Sequence, residues 1–248
     1  MRFLLATLWV ITGSALTAGV YWAFLITPES TVWSLVASAL LAIAALVMAG
    51  LTASGTIAMW SYGPSVVGIR RALGAVGAIV PAALIVLGAW WLTTHAETWV
   101  AMRSGQINAW FIARFGWADV SWLFTAVHRI AQWLRWVVAT MLALSLVAGV
   151  MAVGWRALKQ VAWLRRALHP RAILFATIWF VVLIALPWIY LVPWRPKQLP
   201  ATSAEFAFIV AKLSVTAILF AIGGALIARQ ASRIATPPID PSTAVAAA

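Results

Sequence analysis

Six long apolar runs, separated by short polar or basic stretches, set the pattern of this chain. They cover residues 3–26, 31–59, 72–93, 136–154, 172–192 and 206–228. A bilayer core takes about 20 apolar residues per helix. Each run therefore predicts one membrane-spanning helix, and the fold class is an all-α, polytopic integral membrane protein. The second run is long enough to tilt. Pro187 and Pro193 lie near one end of the fifth, which predicts a kink or an early end there, because proline has no N–H to give the helix ladder. A cleaved signal peptide is the alternative for the first run, which opens on Arg2 and holds the small residues Gly13, Ser14 and Ala15. Residues 19–26 stay apolar where a signal sequence turns polar, so an uncleaved helix is expected.

Two connections are more than loops. Residues 155–171 read WRALKQVAWLRRALHPR. Leu158, Val161, Ala162, Leu164 and Leu168 recur at helical spacing beside Arg156, Lys159, Arg165, Arg166 and Arg171. An interfacial helix lying on anionic lipid and ended by Pro170 is the expectation. Residues 94–135 are rich in tryptophan and predict one or two interfacial helices on the opposite face, broken near Gly116. Residues 1–235 thus form one membrane-embedded helical unit, and the proline-rich tail 236–248, TPPIDPSTAVAAA, is expected to be disordered.

Composition agrees with the pattern. Only 9% of the 248 residues are charged and 65% are hydrophobic, too few charges to dress a water-facing surface. Tryptophan outnumbers tyrosine 17 to 3 and favours the bilayer interface. With no cysteine, disulfides, thiolate metal sites and a cysteine nucleophile are excluded. The net charge of +12 reads as an orientation signal, since no nucleic-acid-binding motif accompanies it. With the N-terminus inside, the inner segments carry Arg2, Arg70, Arg71, Arg156, Lys159, Arg165, Arg166, Arg171, Arg229 and Arg233, against Arg103, Arg114, Arg195 and Lys197 outside, joined by Arg129 and Arg135 if those count as loop. The positive-inside rule then puts both termini in the cytoplasm, an expectation that a reporter fused after residue 235 tests. A bacterial cytoplasmic (inner) membrane suits so compact and loop-poor a layout.

Two polar stripes are the candidate chemistry. On a helix over residues 120–138, Ser121, Thr125, His128, Gln132 and Arg135 share one narrow face. In the last run Glu205, Lys212, Thr216 and Gly223 are seven, four and seven residues apart, again one face. Facing one another, these stripes would line an outward polar pocket formed by His128, Arg135, Glu205 and Lys212, with Asp119, Glu97 and His95 near its mouth. The plainer reading is an interfacial helix whose polar side touches water and a lysine that snorkels.

Most chemistries find little support. His95, His128 and His169 have no metal-ligand spacing. A b-type haem between His95 and His128 is the one cofactor alternative. Ser121 and Ser145 lack an acid–histidine partner set, and the acids are too few for metal-assisted phosphotransfer. A retinal on Lys212 would lack a carboxylate within a span. The leading function is a non-catalytic accessory or structural subunit of a membrane complex; the alternatives are a small transporter or channel for an anionic or amphiphilic solute and, behind it, a haem-binding or other membrane enzyme. Small residues four apart, Gly13 with Thr17, Ser14 with Ala18 and Ala139 with Ala143, allow close helix contacts within the chain or with another subunit.

Overall fold

The computed structural model describes residues 1–28, 30–116, 120–160, 162–194 and 202–235. It is all-α, 91% helical and without strands among the described residues, and six of its helical runs are long and apolar enough to cross a membrane. The protein is therefore an integral, multi-pass membrane protein. The first two spans follow the hydropathy closely: α1 is Arg2–Ile26 and α2 is Val32–Ser61. Thr31 caps α2 by a reciprocal pair with Ser34, which satisfies donors that a helix start leaves open.

The third span differs from its apolar run. A short helix α3 (Val66–Gly74), capped by Ser65, and a 3-10 turn precede α4 (Ile79–Met102). Thus α4 begins later and continues through Thr94, His95 and Glu97, which the sequence placed in the interfacial connection after the third run. Of the two expected interfacial helices, α5 (Ser104–Phe115) is separate, lacks buried residues and stops at Gly116, whose φ of +67 suits a residue without Cβ. The other, α6 (Ser121–Trp133), runs through a π turn at Leu134–Val138 straight into α7 (Ala139–Val153). Residues 121–135 are thus continuous with the fourth apolar run, in one 39-residue stretch from Ser121 to Lys159, longer than a bilayer core requires.

After α7, Gly154 turns the chain with φ +70. The expected single basic helix is instead a 3-10 turn (Gly154–Lys159) and a one-and-a-half-turn α8 (Ala162–Ala167). Its buried contacts are Ala157 and Ala167, while Leu158 and Leu168 are exposed. Arg156, Lys159, Arg165, Arg166 and Arg171 all face outward. His169 caps α9 (Pro170–Phe180), with Pro170 at its first position as the stop after residue 169 requires. The kink expected at Pro187 takes the form of two π turns, Val181–Ala185 and Pro187–Leu191. With no N–H to offer, Pro187 opens the ladder, and the N–H of Val192 reaches back five residues to its carbonyl. The last helix, α10 (Thr202–Ala235), overruns its apolar run at both ends. The tail at 236–248 lies outside the described residues.

The fourth span is the hub. Its most apolar stretch is 61% buried, against 11–17% for the other five spans. Met141, Leu146, Val147 and Val150 pack among α2, α4, α9 and α10. Lipid offers no hydrophobic drive for helix association, so close packing and hydrogen bonds must supply it. Gly13 lies against Thr52 and Gly55 against Trp9, and Ala139 and Ala143 are buried. Tryptophan does more here than mark the interface. Indole N–H groups pin α1 to α2 (Trp9 to the Leu51 carbonyl, 3.3 Å), α2 to α10 (Trp60 to the Ala225 carbonyl, 2.9 Å) and α6 to α9 (Trp133 to the Thr177 hydroxyl, 2.9 Å).

Candidate functional site

The densest polar arrangement lies where α4 meets the α6–α7 span. On α4, Trp90, Thr93, Thr94 and Glu97 stand at i, i+3, i+4 and i+7 and share one face. Opposite, the π turn carries Arg135, 7% exposed. Arg135 Nε donates to Thr93 Oγ1 at 2.6 Å and its Nη2 to Thr94 Oγ1 at 3.0 Å. Nη2 also donates to Glu97 Oε2 in a close ion pair. The face of the guanidinium rests 4.9 Å from the centroid of Trp90, whose ring meets Trp136 edge-on. The other Glu97 oxygen, Oε1, accepts from His128 Nδ1 at 2.7 Å. Opposite a carboxylate, which only accepts, Nδ1 must carry the hydrogen. One α4 carboxylate therefore bridges two residues a full two turns apart on α6 and the π turn.

Of the seven pocket candidates, the structure brings together Glu97, His128 and Arg135. His95 turns away and stacks on Trp91 at 5.1 Å. Glu205 is exposed in the first turn of α10, and Asp119 lies outside the described residues. Lys212 serves another junction: its Nζ donates to the carbonyls of Val192 at 2.7 Å and Trp194 at 3.3 Å. There it neutralises the C-terminal end of the fifth span, with Phe208 beneath it at 5.5 Å. On the same stripe, Gly223 packs on Leu183 and Ile184. So the α10 stripe faces the end of α9, and the α6 stripe faces α4. Trp90, Thr93 and Thr94, absent from the sequence-based set, were signalled by their helical spacing with Glu97, which an assumed break after residue 93 concealed.

No group of three or more His, Asp or Glu side chains able to hold a metal occurs among the described residues. What the arrangement does chemically is hold helices: one guanidinium, one carboxylate and one imidazole, each engaged across a helix boundary. Comparison of the chain with protein-family models, with curated proteins and with solved structures finds no match.

Proposed function

We propose that this protein is a non-catalytic accessory or structural subunit of a membrane complex, set in a bacterial inner membrane with both termini cytoplasmic. The observation that carries this reading is the engagement of the two cations best suited to a solute path. Arg135 is held by Thr93, Thr94, Glu97 and Trp90, and Lys212 by two backbone carbonyls. A transporter for anions would need one of them free to exchange partners. The orientation is supported by the excess of Arg and Lys at the end where α2, α7 and α10 finish, and the exposed Arg156, Lys159, Arg165, Arg166 and Arg171 suit an anionic cytoplasmic leaflet. Exposed aromatics on α5, Trp110 and Phe115 among them, suit either headgroups or a neighbouring subunit.

Flux measurements separate this from the transporter reading. The pure protein reconstituted alone in vesicles should pass anionic solutes no faster than protein-free vesicles. A flux abolished by Lys212→Leu or Arg135→Gln would overturn the proposal in favour of a transporter.

A further inference from the structure

We infer that the seam between α1, α2 and α10 is a site for one anionic phospholipid, with its phosphate on Arg2, Arg229 and Arg233 and an acyl chain in the cavity behind them. Where α1 begins and α2 and α10 end, Arg2, Trp60, Arg229, Ser232 and Arg233 line a cavity of about 240 Å³. Three arginines thus line one space. Neither described carboxylate is near: Glu97 lies at the other end of the bundle on the Arg135 clamp, and Glu205 opens α10 more than 20 residues before Arg229. The floor of the cavity is rigid, because Trp60 is pinned to the Ala225 carbonyl and Arg229 lies over its ring at 4.9 Å. Like charges gathered with no carboxylate among the described residues beside them attract an anion, and guanidinium matches phosphate oxygens in a bidentate fashion.

A second cavity, of about 450 Å³, continues deeper along the same three helices. Thr56 and Ala228 line it, and each stands one turn before a lining residue of the first cavity, Trp60 and Ser232. Its walls are mostly apolar, and the three threonine hydroxyls turn back into their own helices: Thr17 to Gly13, Thr52 to Met48 and Thr56 to Thr52, at 2.6–2.8 Å. Ala49, Ala53, Gly224 and Ala228 keep it wide, and exposed Ser14 and Ala18 open it sideways toward the bilayer. A free phosphate would use the guanidinium groups and leave this cavity empty. A phospholipid fills both, which is why the lipid is the occupant proposed.

The test is native mass spectrometry of the detergent-purified full chain with added phosphatidylglycerol or phosphatidylcholine. The expected result is one phosphatidylglycerol adduct that survives activation which strips phosphatidylcholine. Arg229→Gln with Arg233→Gln should weaken it roughly 30-fold, whereas Arg103→Gln with Arg114→Gln, which line neither cavity, should leave it unchanged. Gly224→Ile reads the acyl-chain cavity separately. A Cβ there meets only Val10, at 3.8 Å, so the side chain starts without a clash, and its remaining carbons are expected to fill the cavity and weaken the adduct. Thermal unfolding of each variant checks that the fold is intact. Equal retention of both lipids, or an adduct indifferent to the Arg229/Arg233 pair, overturns the proposal. An adduct displaced by millimolar inorganic phosphate, or unaffected by Gly224→Ile, overturns the lipid assignment in favour of a free-anion site.

Discussion

Replacing Glu97 by Ala is expected to destabilise the protein by about 3 kcal/mol. The substitution leaves Arg135, 7% exposed, without its counter-charge. Breaking a buried pair from one side costs about 3–5 kcal/mol, because the remaining charge stays desolvated. The lower end applies here, since Glu97 is 21% exposed and Thr93 and Thr94 still accept from the guanidinium. The double variant Glu97→Leu, Arg135→Met should recover most of the loss, because an apolar pair of similar volume removes the desolvation problem together with the attraction. His128→Gln should cost less than about 1 kcal/mol, its side chain being 55% exposed. Reversible unfolding in mixed micelles measures all of these. If Glu97→Ala unfolds with the wild type, or the double variant is as weak as the single one, the ion pair does not lock α4 to the fourth span.

Gly50→Leu should be as damaging, about 3 kcal/mol or more, for a steric reason. Gly50 of α2 faces the turn that leads into α4. A Cβ there would stand 2.9 Å from the Val76 carbonyl oxygen and 3.2 Å from Ile79. The carbonyl belongs to the backbone and cannot rotate aside, so α2 and the start of α4 would have to separate along the core that also holds Ile57 and Leu146. Gly88, midway along α4, is the matched control: a Cβ there meets nothing within 4 Å. Gly88→Leu should therefore change stability by less than about 0.5 kcal/mol. Yield of monodisperse protein and the unfolding midpoint report both, and equal effects at the two glycines would contradict the close crossing.

What the sequence disclosed and what it hid follow from the range of the forces involved. Run length and hydropathy locate α1, α2, α9 and most of α10, because a bilayer imposes a minimum apolar length on every span. The same criterion misplaced α4. Gly74 and Gly77 do not lower hydropathy enough to reveal the α3 turn, and Thr94 and Glu97 lower it without ending the helix, whose backbone bonds continue to Met102. Each polar stripe was visible from its spacing, since that depends only on near neighbours. The partners were not. Glu97 and Arg135 are 38 residues apart, and Lys212 binds the backbone carbonyls of Val192 and Trp194, which leave no mark on side-chain pattern. Sequence therefore displayed one half of each of two junctions and paired those halves with one another for a plain reason: both stripes sit toward the same end of the bundle. The convergence of Arg2, Arg229 and Arg233 was equally hidden, because it needs the first and last spans to be neighbours.

A subunit of a larger complex should betray itself by its mass when extracted from its own membranes in mild detergent. The expected particle is well above 26.8 kDa plus detergent and contains other polypeptides in fixed proportion. A particle made only of this chain, whether monomer or homo-oligomer, would contradict the subunit proposal.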